Sequence, residues 1–113
     1  MTETDPHDLP EVVERIRKQA AIEELWITQH AHQRMMEERI FLDEILDALT
    51  DCRVLENYPD HRRGPCCLVH GVTETGRDLH IVCTSTSPVL IMITAYEPKP
   101  PKWRTPDQRS QES

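Results

Sequence analysis

Residues 66–96 read CCLVHGVTETGRDLHIVCTSTSPVLIMITAY, and the alternation within this stretch decides the fold. Successive side chains of a strand point to opposite faces, so position parity sorts them. The odd positions Cys67, Val69, Leu79, Ile81, Cys83, Val89, Ile91, Ile93 and Ala95 form an almost wholly apolar set. The even positions Cys66, Leu68, His70, His80, Val82, Thr84, Leu90, Met92, Thr94 and Tyr96 are mixed. This predicts strands over 66–73, 78–84 and 89–96 with the odd face against a hydrophobic layer. Thr73–Arg77 and Ser85–Pro88 read as reversals, and Gly76 suits a positive φ. A turn centred near Thr75 sets His70 opposite His80 and Cys67 opposite Cys83. The next reversal brings Tyr96 to His80, directly or diagonally.

Upstream, Arg53–Tyr58 reads as a short strand stopped by Pro59, followed by a loop carrying His61, Arg62 and Arg63. Leu42, Ile45, Leu46 and Leu49 mark a helix over about 42–50, with Asp43 and Glu44 in its first turn favouring the helix dipole. Thr28 is placed to cap a helix from Gln29 to Arg39. Val12, Val13, Ile16, Ala20 and Leu25 predict a first helix over 10–25, opened by Pro10, whose missing N–H costs nothing there. Residues 1–9 and 104–113 read as disordered tails around a single domain, 10–103. Three helices followed by four strands with short connections indicate α+β, with the N-terminal helices packed on a four-stranded antiparallel sheet.

The chain has 113 residues, 37% hydrophobic and 29% charged, enough for one domain with a modest core. It has no run of eighteen apolar residues, which excludes a transmembrane helix, and Met1–Pro10 has neither the basic nor the apolar part of a signal peptide. The net charge is −7. Residues 1–25 hold seven acids and three bases, whereas 26–103 hold eleven acids, eight bases and five histidines. A general affinity for polyanions is therefore not expected, although a local basic site fits. Cys52, Cys66, Cys67 and Cys83 include no CxxC pair and read as free thiols of a reducing cytoplasm.

Two imidazoles and a phenol on a half-open sheet face suit acid–base chemistry, because an imidazole titrates near pH 6.5. Cleavage of RNA by the ribose 2′-hydroxyl needs a base for that hydroxyl, an acid for the leaving 5′-oxygen and a cation at the phosphate. His30 and Arg34 share a helix face four residues apart, and a guanidinium matches phosphate oxygens. Plainer roles stand beside these. Arg34 can pair with Glu37 or Glu38, His70 can be a surface strand residue, Tyr96 can pack at a sheet edge, and Met35 and Met36 can fill the core. Cys66, His70 and His80, with His30 or His32, could instead bind a metal as a Cys/His set, but their spacing matches no recognised zinc signature. No metal and no cofactor is expected.

The pattern Thr28-x-His30-Ala31, Arg34-Met35, Arg39-Ile40, Glu56-x-Tyr58-Pro59, Gly76-Arg77, Leu79-His80-Ile81-Val82 and Ile93-Thr94-x-Tyr96-x-Pro98 with Trp103 resembles the bacterial domain of unknown function family numbered 4258. The resemblance covers about residues 12–103. That family is commonly grouped with RelE-like toxins, which cleave RNA without metal. The resemblance implies a RelE/barnase-like fold with a twisted antiparallel sheet. It also implies a metal-independent endoribonuclease of toxin–antitoxin type, with RNA as substrate and an antitoxin protein encoded nearby as partner. His30, Arg34, His80 and Tyr96 would be catalytic, and Tyr58, Arg39 and His70 would bind substrate. The alternatives are a non-enzymatic protein-binding module and the Cys/His metal-binding protein.

Overall fold

A computed structural model describes residues 4–100 and 102–109. Helix α1 spans Leu9–Ala21, strand β1 Leu25–Ile27, α2 Gln29–Glu38, α3 Leu42–Thr50 and β2 Arg53–Tyr58. Then follow β3 (Cys66–Val72), β4 (Asp78–Thr84), β5 (Leu90–Tyr96), β6 (Trp103–Thr105) and β7 (Gln108–Arg109).

Local chemistry sets the helix ends. The Asp8 carboxylate accepts the Glu11 N–H at 3.2 Å to cap α1, with Pro10 in its first turn. Thr28 Oγ1 accepts the Ala31 N–H at 3.1 Å and starts α2. Arg39, at φ 54°, ends it in the left-handed region. The Glu44 carboxylate takes the Phe41 N–H at 2.9 Å at the start of α3. Helix α1 is shorter than expected because the chain turns at Glu23, φ 57°, and Leu25 enters a strand instead.

That strand changes the sheet. The order is β1-β5-β4-β3-β2, five strands, with β1 parallel to β5 and the remaining neighbours antiparallel. The four-stranded, wholly antiparallel sheet expected from the sequence is corrected to a mixed one. Three residues are too few to show a period of two, so Leu25 reads as the end of a helix until its pairing with Leu90 is seen.

The core lies between the helices and one sheet face. Val12, Ile16, Ala20, Ala31, Met35, Ile45, Ala48 and Leu49 pack against Cys67, Val69, Leu79, Ile81, Cys83, Leu90, Met92 and Ala95. Helix α3 approaches β3 so closely that a Cβ on Gly71 would lie 2.0 Å from the Ala48 carbonyl oxygen. Arg77 ties the β3–β4 turn to the helices. Its guanidinium donates to the Glu38 and Arg39 carbonyls at the end of α2, at 2.7 and 3.0 Å, and to the Glu44 and Glu97 carboxylates.

Parity holds on β3 and β4 but breaks on β5. Val82 opposes Thr94 while Cys83 opposes Met92, so Ile93 is an extra, bulged residue. Before the bulge, Leu90 and Met92 face the core, and Ile91 and Ile93 do not join it. The expected inward set is thereby reversed at these four positions.

Parts of both segments read as tails make contacts with the domain. Thr4 is buried and its hydroxyl accepts from Arg15 at 2.5 Å, while Asn57 donates to the Pro6 carbonyl. Residues 1–3 lie outside the described residues. At the other end, Trp103–Thr105 and Gln108–Arg109 pair as a small hairpin closed by Pro106 and Asp107. Residues 110–113 lie outside the described residues.

Candidate functional site

The sheet face turned away from the helices carries the cluster expected from parity. His70 is directly opposite His80, and His80 directly opposite Tyr96. The His70 and His80 ring centroids are 5.7 Å apart, and those of His80 and Tyr96 5.4 Å.

Strand β2 adds charge to the same face through a second bulge. Arg53 opposes His70 and Val54 opposes Val69, but Glu56 already opposes Leu68, so Leu55 is extra. An uninterrupted strand would turn Arg53 and Glu56 to opposite faces. The bulge brings Arg53, Glu56 and Tyr58 all to the histidine side while Val54 packs on the core.

This face is not open, as the sequence suggests, but closed by the β6–β7 hairpin. The Trp103 indole stands edge-on to His80 with centroids 4.3 Å apart. The Pro106 carbonyl accepts from His80 Nε2 at 2.5 Å. Asp107 Oδ1 lies 2.7 Å from His70 Nδ1, and Oδ2 pairs with Arg53. Arg109 pairs with Glu56 and stacks 4.7 Å above the Trp103 ring centroid. Cys66, Leu68, His70, His80 and Trp103 are buried here, apart from the main core.

The geometry assigns protons. A carbonyl only accepts, so His80 Nε2 carries the hydrogen, and its Nδ1 accepts from the Tyr96 hydroxyl at 3.3 Å. Burial lowers the His80 pKa below its ordinary value and outweighs the pull of the Pro106 carbonyl. Burial likewise raises that of Tyr96. The Arg109 guanidinium holds the Glu56 carboxyl down at about 2. Tyr58, which donates to Glu56, is raised to about 12 by burial first and by that carboxylate second. Arg53 lowers Asp107. His70 lies between two carboxylates, with Nε2 2.8 Å from Asp78 Oδ1 and Nδ1 facing Asp107.

Of the residues expected from sequence, His70, His80, Tyr96 and Tyr58 share this face. His30, Arg34 and Arg39 belong to the helical layer. His30 is exposed on α2 and has no side-chain hydrogen bond among the described residues. Arg34 makes the ordinary helical pairs, 3.3 Å to Glu37 and 3.9 Å to Glu38. Arg39 caps α2 and lines an apolar hollow of 520 Å³ with Met36, Phe41 and Leu42. Met35 is buried while Met36 is exposed.

Sequence reasoning missed Arg53, Glu56, Asp107 and Arg109. The bulge at Leu55 leaves no mark in the alternation. The hairpin did have a signal: Thr105-Pro106-Asp107-Gln108 places Pro and Asp as a tight turn prefers, next to a tryptophan worth burying. Among the described residues, no three His, Cys, Asp or Glu side chains are grouped to hold a metal ion.

A second hollow, 610 Å³, lies between the loop after β2 and the sheet. Its walls are His61, Arg62 and Arg63, and its floor includes Thr84, Ile91 and Ile93. The bulge at Ile93 supplies that apolar floor.

Fold and site together define a small α+β domain with a histidine–tyrosine cluster on one sheet face, closed by its own C-terminal hairpin. Residues 27–97 match the family model described as Domain of unknown function (DUF4258), and the chain belongs to that family. The match runs from the end of β1 to the residue after β5 and leaves out α1 and the hairpin. No curated protein and no solved structure matches the chain. No helix among the described residues is long and apolar enough to cross a membrane.

Proposed function

We propose that this chain is a metal-independent endoribonuclease of the toxin type, and that the hairpin-closed form is its resting state. The observation that carries this reading is the in-register set His70, His80 and Tyr96 with Arg53 and Arg109 on the same face. With the hairpin lifted, one imidazole takes the proton of the ribose 2′-hydroxyl. The 2′-oxygen attacks phosphorus, the second imidazole protonates the departing 5′-oxygen, and a 2′,3′-cyclic phosphate and a 5′-hydroxyl result. Tyr96 fixes the His80 tautomer, and the guanidinium groups stabilise the phosphorane charge. Arg53 and Arg109 take the guanidinium role beside the imidazoles, and Arg34, paired with Glu37 and Glu38 on α2, adds its charge near Tyr96. In this reading the chain works in the cytoplasm, where its four buried free cysteines stay reduced, and an antitoxin protein holds it in check.

The test is RNA cleavage by the full chain, followed by end analysis of the fragments. His80→Ala should lower the rate by about two to four orders of magnitude. Equal cleavage by that variant, or fragments lacking a cyclic phosphate, defeats the mechanism.

A second reading is a protein-binding module without catalysis. It is favoured by His80 itself, which is fully buried with both ring nitrogens occupied, and by the exposed apolar side chains Met36, Phe41 and Leu42 around the hollow beside α2. Harmless expression in bacteria together with uncut RNA selects it.

A further inference from the structure

Asp107 sits in the turn of the C-terminal hairpin, and its two carboxylate oxygens are taken by different groups. Oδ1 faces Nδ1 of His70 at 2.7 Å and Oδ2 pairs with the Arg53 guanidinium. Arg53 and His70 are cross-strand partners, so the fold itself fixes their spacing. One residue earlier, the Pro106 carbonyl oxygen meets Nε2 of His80. The turn therefore delivers three oxygen acceptors to a guanidinium and two imidazoles. Two oxygens of a phosphate group make the same demand on a guanidinium and an imidazole as this carboxylate does.

We propose that Arg53, His70 and His80 form a binding site for a phosphodiester group of single-stranded nucleic acid, and that the Pro106–Asp107 turn occupies it as an internal competitor. The choice of nucleic acid rests on the ribonuclease reading; the phosphate chemistry rests on the side chains alone. The closure is of a kind that a ligand can displace. The hairpin has three and two residues in its strands, and in the Arg53–Asp107 pair the two side chains keep 58% and 47% of their surface in water. Ion pairs so exposed hold weakly, and Trp103 is the one hairpin side chain that is buried. Removing the Asp107 charge also removes one negative group from beside the site, which frees Arg53 of that carboxylate and leaves His70 with Asp78.

The test uses the full chain carrying Trp26→Phe, so that Trp103 is the sole indole. Trp26 is exposed and lies outside the site. The probes are inorganic phosphate and a deoxyribonucleotide trimer, which has no 2′-hydroxyl and cannot be cleaved by the proposed route. Asp107→Asn should bind both about two- to fivefold more tightly than its parent, the factor that a part-exposed ion pair such as Arg53–Asp107 controls. Adding Arg53→Gln should abolish that gain. Saturating ligand should shift the Trp103 emission of the parent to the red as the hairpin lifts. Equal affinity of parent and Asp107→Asn overturns the proposal, as does a gain that survives Arg53→Gln.

Should Asp107→Asn lose the hairpin altogether, the His70 imidazole signals of the parent chain decide instead. They should move with added phosphate but not with chloride at equal ionic strength, and the absence of a phosphate-specific shift overturns the site. Phosphate binding without RNA cleavage keeps this site and removes the enzyme. RNA cleavage with no Asp107→Asn gain removes the site and keeps the enzyme.

Discussion

Arg53 stands directly across β2 and β3 from His70, and it shares that face with Glu56 because Leu55 is bulged out between them. One extra residue thus sets a guanidinium beside an imidazole and a carboxylate beside Arg109. Without the bulge, the hairpin would have one ionic anchor fewer on β2.

His80 is the polar hub of the closure, so its removal should be felt in stability as well as in chemistry. His80→Ala leaves the Tyr96 hydroxyl and the Pro106 carbonyl unpaired and opens a void beside Trp103. The expected loss is about 2–4 kcal/mol by urea unfolding. A loss under about 1 kcal/mol would mean that the hairpin does not rest on this ring.

The same histidine predicts a pH dependence. Its folded pKa is lowered, so it stays neutral where the unfolded chain would take up a proton. The stability it contributes is therefore full above about pH 6.5 and is lost as pH falls through the lower folded value. Burial first and the neighbouring His70 second oppose its protonation, whereas the Pro106 carbonyl, Asp107 and Glu56 favour it. Unfolding of the full chain and of His80→Ala should differ most above pH 6.5 and converge below it. A gap that widens with acid contradicts the assignment of a neutral ring.

Much of this arrangement was legible in the sequence, for identifiable reasons. His70, His80 and Tyr96 follow from alternation plus the turn at Gly76, where φ is 87°. The helices follow from Thr28, Pro10 and the spacing of Ile45 and Leu49. What stayed hidden breaks a period or has none. Ile93 and Leu55 are single inserted residues that shift parity without altering composition. Leu25–Ile27 gains its strand identity from a parallel partner far along the chain. The hairpin is held by pairs that join Asp107 and Arg109 to β2 and β3, and such long-range pairs leave no local pattern.

Gly71 should tolerate no side chain. A Cβ there would lie 2.0 Å from the Ala48 carbonyl oxygen, 2.5 Å from its carbon and 2.8 Å from Ala48 Cα. These are backbone atoms of a helix seated on the sheet and cannot swing aside. Gly71→Ala should cost about 1–3 kcal/mol or more through displacement of α3. Near-wild-type stability in chemical unfolding would show that α3 can move without cost.

Arg77 should not be replaceable by lysine. Its fork reaches two carbonyls at the end of α2 and the carboxylates of Glu44 and Glu97 together, which one ammonium cannot do. Arg77→Lys should lose about 1–3 kcal/mol. Full stability in that variant would reduce the network to its charge.

The basic loop carries the last prediction. Arg62 and Arg63 overhang a hollow whose floor is Ile91 and Ile93, turned to this face by the bulge. A cationic rim over an apolar floor suits a nucleotide, with phosphate at the rim and base on the floor. If each arginine meets one phosphate, Arg62→Ala with Arg63→Ala should lower the salt slope of single-stranded RNA binding by about 1.4, from about 0.7 per phosphate. Both side chains are exposed on a loop, so the fold should be untouched. An unchanged slope would place the nucleic acid elsewhere on the sheet face and leave this loop as solvated charge.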